Sequence, residues 1–280
     1  MNFKDNPLVV GGLNTVRRWR ETRRLRRVPR VQCPTEALAS IDESRVRSIL
    51  ADPGIAAEWP AIASELATLG ITEEAHGVNP GDRRALYYLV RATRPARVLE
   101  IGTHIGASTV HIAAALRATA RDGSAPLRLT TVDILPVNDP TARLWERYGS
   151  RHSPATMVQR LGVGDIVEFN TAPAEAFLAA APGKYDFIFL DGDHAAAAVY
   201  RELSTASAKL APGGLIVLHD YFPGGQPLWP GSPVIPGPWL ATERLVAEGA
   251  KLRVLPLGDL PWPTKLGGNT TSLAVVAKAT

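Results

Sequence analysis

From Pro95 onward, short apolar runs rich in β-branched and aromatic residues alternate with segments of helical periodicity, and this alternation constrains the fold more than any other feature. The candidate strands are Ala96–Gly102 (ARVLEIG), Leu127–Ile134 (LRLTTVDI), Asp165–Asn170 (DIVEFN), Tyr185–Gly192 (YDFIFLDG), Gly213–Asp220 (GGLIVLHD), Lys251–Leu257 (KLRVLPL) and Ser272–Lys278 (SLAVVAK). Between them lie the helical stretches GASTVHIAAALRATA, SPATMVQRLG, APAEAFLAAA, AAAAVYRELSTASAKLA and GPWLATERLVAEGA. Strands this uniformly apolar are covered on both faces, which predicts an α/β, doubly wound, mostly parallel seven-stranded sheet.

Upstream of Pro95 the pattern is helical. Apolar residues recur at three- and four-residue steps from Thr35 to Leu69, interrupted at Asp52-Pro53-Gly54, and a further helix starts at Asn79-Pro80 and runs to Thr93. This divides the chain into a basic N-terminal segment (1–34), a helical extension (35–78) and a main domain (79–280). Within the main domain, Tyr221 to Trp239 is a proline-, glycine- and tryptophan-rich loop. A loop this long and this apolar suits a substrate lid, with Trp229 and Trp239 excluding water.

With 280 residues and 45% hydrophobic content the chain can bury a large core. No apolar run approaches the ~18 residues of a membrane span, and no secretory signal opens the chain, so a cytoplasmic protein is expected. The single cysteine, Cys33, excludes an internal disulfide framework and a multi-cysteine zinc site. Much of the +4 net charge lies between Arg17 and Arg30. We read that segment as a solvated tail or a helix laid across a neighbouring subunit, in preference to a basic helix for anionic lipid, RNA or an acidic partner. A homodimer through the N-terminal helices is therefore an expected partner, with no nucleic acid.

Ligands of open α/β sheets sit beyond the carboxyl ends of the strands, and the chemically distinctive residues fall there. The first strand-to-helix turn, VLEIGTHIGAST, carries Glu100, Gly102 and Gly106 in the spacing E-x-G-x-x-x-G, where glycine lets the backbone approach a ligand beside free helix amides. A nicotinamide fingerprint needs glycine at position 104, which is His. The second strand ends in Asp133, placed to accept hydrogen bonds from ribose hydroxyls. The fourth and fifth end in LDGDH and LHDY.

These four motifs, VLEIGTHIGAST, TVDI, LDGDH and LAPGGLIVLHDY, resemble in order and spacing the class I S-adenosylmethionine-dependent methyltransferases over about Asn79 to Lys278. The similarity is greatest to the small-molecule O-methyltransferase branch that includes the catechol, caffeoyl-coenzyme A and macrocin types. The resemblance implies a Rossmann-like sheet with an antiparallel last strand, S-adenosyl-L-methionine as cofactor, and methyl transfer to a hydroxyl of a small-molecule substrate. It implies that Glu100, Gly102, Thr103, Gly106 and Ser108 line the methionine and ribose side of the cofactor. Asp133 would hold the ribose hydroxyls, Thr171, Ala172 and Pro173 would flank the adenine, and Val78 would close the pocket over the amino-acid end.

Metal-dependent members of the branch hold a divalent ion between an aspartate after the fourth strand and a pair after the fifth. Asp191 matches the first ligand and Asp220 one of the pair, but where the family has Asp-Asn or Asp-Asp this chain has His219-Asp220 followed by Tyr221, and the register leaves open which of the three takes each place. Histidine suits Mn²⁺, Fe²⁺ or Zn²⁺ better than Mg²⁺, so either the metal differs or none binds. His194 lies three residues after Asp191, where related enzymes carry a proton-accepting lysine, and it is the preferred general base, with His219 as a second candidate. The alternatives are a hydroxylase-like or other non-methyl reaction on the same scaffold, and a non-catalytic nucleotide-binding protein.

Overall fold

The structure is a computed structural model that describes residues 7–72, 75–120, 126–229, 232–264 and 267–279. All seven expected strands form: β1 (Arg97–Ile101), β2 (Arg128–Asp133), β3 (Val167–Thr171), β4 (Tyr185–Leu190), β5 (Leu210–Leu218), β6 (Leu252–Pro256) and β7 (Ala274–Lys278). They make one sheet in the order β3-β2-β1-β4-β5-β7-β6, in which only β7 runs antiparallel to its neighbours. Strand order reverses between β1 and β4, so the crevice of a doubly wound sheet opens there.

Side chains alternate across the sheet with the two-residue period of a strand. Val98, Phe187, Phe189, Leu215 and Val217 face one side, where α2 (Glu43–Leu50), α3 (Pro53–Ala67), α4 (Pro80–Thr93), α5 (Ala107–Ala120) and α7 (Pro154–Arg160) complete a single core. Leu99, Ile101, Ile188, Leu190, Ile216 and Leu218 face the other, against α8 (Ala174–Ala180), α9 (Ala196–Ala208) and α10 (Gly237–Ala247). The short α6 (Leu144–Arg147) contributes Trp145 to a small cluster with Ile105 and Ala107.

Local chemistry sets the helix starts. Asn79 accepts the amide of Asp82 ahead of Pro80, and Ser153 accepts that of Thr156 ahead of Pro154, as N-caps followed by a first-turn proline do. Asp52 caps α3 in the same way, so Asp52-Pro53 is a helix start as well as a break. The expected helix from Thr35 is shorter than its periodicity suggests. It begins only at Glu43, because Asp42 caps it by accepting from Arg45, and the residues before it form a turn at Glu36-Ala37 and no helix. Leu38 bridges Gly214 there, with Ala39 donating to the Gly214 carbonyl and Gly213 to that of Ala37.

The arginine-rich segment is not a free tail over its first half. Residues 17–25 belong to α1 (Pro7–Leu25), which lies across α9 and α10 of its own chain. Leu25 is buried there, and Arg18 stacks over Trp239 at 4.7 Å. Trp239 therefore faces α1 as a residue of α10, and the loop expected to end at 239 ends at Pro236. Among the described residues, no helix is long and apolar enough to cross a membrane.

Candidate active site

Backbone bonds carry the sheet one residue past its strand ends and so align four turns. Gly102 donates to Val132, Asp191 to Ile101, His219 to Leu190 and Ala172 to Asp133. A cavity of about 980 Å³ opens over these turns, enough for a nucleotide-sized ligand and an acceptor together. Of the expected site residues, Gly102, Asp133, Ala172, Pro173, Asp191, His194, His219 and Asp220 line it.

The others lie elsewhere. Glu100, expected on the cofactor surface, is fully buried behind the turn and accepts hydroxyl hydrogens from Thr109 (2.5 Å) and Thr131 (2.6 Å). The reason is its place inside β1, where its side chain meets β2 and α5. Burial pushes its carboxyl up to about 7, against the lowering effect of hydroxyls from Ser108, Thr109 and Thr131, while the Asp191 charge raises it further. Thr103 is equally buried, its hydroxyl 2.6 Å from that of Thr131, and Ser108 faces inward. Gly106 packs under Pro154 and Met157, Val78 is buried, and Thr171 ends β3 outside the cavity wall. These residues shape the turn from beneath.

Gly102 adopts φ 98, and a Cβ placed on it would lie 2.1 Å from the carbonyl oxygen of Asp191, so only glycine permits β1 and β4 to approach this closely. On the rim, Asp133 is fixed by two backbone donors, His104 at 2.8 Å and Leu135 at 2.9 Å. His104 achieves this in a left-handed conformation, φ 48, and its ring packs on Tyr148 at 4.6 Å. Tyr148, His76 and Gly77 also line the cavity, three residues that sequence motifs do not mark.

The densest chemistry lies at the ends of β4 and β5. Nδ1 of His219 is 2.9 Å from Asp191 and 3.6 Å from Asp220, whereas Nε2 is 3.3 Å from Asp82, which is wholly buried in the first turn of α4. Asn79 donates to the same Asp82 oxygen at 2.6 Å. Burial alone would push the His219 imidazole down; the carboxylates of Asp191 and Asp220 outweigh it and raise the group well above its usual range. His194, more exposed, places Nε2 3.5 Å from Asp220 and 4.0 Å from Asp191. Asp220 itself takes a left-handed φ of 52, a conformation that costs a non-glycine residue energy and is concentrated at functional sites.

Sequence reasoning missed Asp82. An aspartate three residues after an N-cap reads as an ordinary first-turn charge, and only tertiary packing shows that it is sealed against a histidine 137 residues away.

Residues 99–221 match a family described as a methyltransferase domain. The chain is also 29% identical over 176 residues to the catechol O-methyltransferase of Mycobacterium tuberculosis, covering 62% of this chain and 70% of that protein. The chain is thus similar to methyltransferases over the first five strands of its sheet. The fold of this chain is shared with the O-methyltransferase from Bacillus cereus, solved in complex with SAH (TM-score 0.52, 20% identity, covering 86% of this chain and 92% of that one). It is shared as well with TomG of Streptomyces achromogenes, an O-methyltransferase involved in tomaymycin synthesis and solved in complex with SAM (TM-score 0.51, 19% identity, 73% and 82%).

The residues present fit a divalent ion. Asp191, His219 and Asp220 offer three ligand atoms within 4.8 Å of one another. Nδ1 of His219 is buried and, despite its closeness to Asp191, lies outside hydrogen-bond geometry with any partner. Its other nitrogen faces a carboxylate, the arrangement that orients metal-bound histidines.

Proposed function

We propose that this chain moves the methyl group of S-adenosylmethionine to a hydroxyl held between β4 and β5, and that His194 accepts the hydroxyl proton. One observation carries the reading: Asp191, His194, His219 and Asp220 converge at the cavity wall beside the glycine turn, with separations of 2.9–4.0 Å. The cofactor's ribose hydroxyls bind Asp133, its adenine lies against Ala172 and Pro173, and its sulfonium end crosses Gly102 toward Asp191. The buried set of Glu100, Thr103, Gly106 and Ser108, with Val78, supports that surface rather than touching the ligand.

The chemistry asks little of the protein beyond alignment. The acceptor oxygen attacks the methyl carbon, the carbon–sulfur bond breaks as the carbon–oxygen bond forms, and the hydroxyl proton passes to Nε2 of His194. Asp220, 3.5 Å from that nitrogen, stabilises the imidazolium once the proton has arrived. Asp82 holds Nε2 of His219, which leaves Nδ1 facing the cavity. Asp191, His219 and Asp220 would hold a divalent ion, which when bound lowers the pKa of an acceptor hydroxyl and fixes its position. Ile235, from the loop after β5, borders the acceptor side.

The test is S-adenosylhomocysteine release with a panel of hydroxylated acceptors, catechols included, after chelation and after return of Mg²⁺ or Mn²⁺. Turnover of at least one acceptor, lost in His194→Ala with cofactor binding intact, is expected. Undiminished turnover in that variant would transfer the proton to another group. Recovery on metal return assigns the ion; turnover indifferent to chelation removes it from the site.

A further inference from the structure

We propose that the outward face of α1 docks on a membrane surface that bears anionic phosphate headgroups. The inward face is already committed. Leu25 is buried, Glu21 accepts the Ala196 amide at 2.7 Å, and Asn14 bonds the backbone of Val234 at 3.0 Å and of Ser232 at 3.4 Å. The opposite face is not covered: Leu13, Val16 and Trp19 are 52%, 45% and 59% exposed, three large apolar side chains within two turns.

Charge on the same helix and its continuation is strongly one-sided. Residues 17–30 contain eight arginines, all exposed, against the single acid Glu21. That is seven net positive charges; since the chain totals +4, the remaining residues sum to −3. The excess is therefore a local feature and not a property of the surface at large. Arginine rather than lysine suits phosphate, because its guanidinium is weakly hydrated and pairs in a fork with two oxygens. Arg18, Arg23 and Arg26 surround a groove of about 590 Å³ beside Trp19, with Thr15 and Thr22 on its walls.

The exposed apolar side chains select the partner. A nucleic acid or an acidic protein would satisfy the arginines and leave Leu13, Val16 and Trp19 in contact with charge. A lipid headgroup layer accepts both, with the arginines at the phosphates and the apolar groups and the indole sinking to the acyl boundary. A second copy meeting this face through a two-fold axis would oppose seven like charges. α1 also reaches the loop at 232–234 and the turn after His194, so a docked chain has its cavity entrance near the headgroups. The docking does not depend on the methyl-transfer reading.

The test is co-sedimentation of the full chain with phosphatidylcholine vesicles, with and without phosphatidylglycerol, at low and high salt. Preference for the anionic vesicles is expected, weakening with salt as screening grows. Arg20→Glu/Arg23→Glu/Arg27→Glu should reduce it by at least about 100-fold, near the effect of removing three surface-bound arginines. Trp19→Ala should weaken it several-fold at unchanged charge. Circular dichroism and the thermal unfolding midpoint check that each variant is folded. Equal binding to both vesicles, or a charge-reversed variant that binds like the wild type, overturns the proposal. So does a Trp19→Ala variant that binds unaltered while duplex DNA competes fully, which marks a general polyanion site. Formation of a dimer that excludes vesicles assigns the face to a second copy.

Discussion

Nε2 of His219 lies 3.3 Å from a carboxylate oxygen of Asp82, a side chain with no exposure to solvent. The contact spans the sheet from α4 to the end of β5, and it decides which nitrogen of His219 the cavity meets. Asp82→Asn keeps the shape but removes the charge that holds Nε2–H. The expected outcome is a fall in kcat of about 10- to 100-fold, the range for supporting groups of this kind. Cofactor affinity by calorimetry should be unchanged, because Asp82 does not line the cavity. Parallel loss of both would show that Asp82 serves folding only.

Asp133 and Asp220 stand at opposite ends of the same wall. Asp133→Ala removes an acceptor from the ribose side and should weaken S-adenosylmethionine about 10- to 100-fold, as loss of hydrogen bonds to a charged group does. Asp220→Ala should leave that affinity nearly intact and abolish most turnover. Titration calorimetry beside initial rates separates the two, and equal cofactor loss in both variants would refute the division.

The cofactor-free chain should lose stability as pH rises from about 4.5 to about 7. Below that window Glu100 is protonated in both folded and unfolded states. Within it the unfolded chain releases the proton while the folded chain, whose carboxyl is pushed up to about 7, retains it. The difference, about 3 kcal/mol at full separation, persists above the window. Glu202, raised to about 7 by burial and by Asp193 and Glu175, adds in the same direction. His219, raised well above 6.5, loses its contribution at higher pH still. Melting temperatures between pH 5 and 8 should therefore decline, and Glu100→Gln should flatten the decline.

Gly102→Ala places a methyl 2.1 Å from the Asp191 carbonyl in a left-handed conformation. Either β4 shifts or the turn does. Destabilisation of about 2 kcal/mol or more is expected, together with weakened cofactor binding, read by denaturant midpoint and calorimetry on the same sample.

Strands and their order of appearance were legible because an apolar run between turn signals admits few other structures. Helix starts were legible where a cap preceded proline, as at Asn79 and Ser153. The segment before Asp42 was not, since its helical spacing is overridden by backbone pairing of Ala37 and Ala39 with β5 at Gly213 and Gly214. Residues at strand ends that reach the cavity, such as Asp191 and His219, could be read from their position. Depth could not: Glu100 and Asp133 both occupy motif positions, yet one is sealed beneath the turn and the other stands on its rim. Motifs record which residues a turn needs without separating those that touch a ligand from those that hold the turn. Asp82 and Tyr148 escaped for another reason, because they come from elements whose sequence carries only ordinary helix signals.

A Cβ on Gly237 would lie 1.8 Å from the carbonyl oxygen of His194. The loop after β5 is thus pinned, by backbone, to the residue proposed to take the proton. Side chains along that loop can be exchanged for larger or smaller ones without moving this anchor. Divergence toward new acceptors then has a ready route, in which the wall facing the substrate changes while the seat of the base keeps its place.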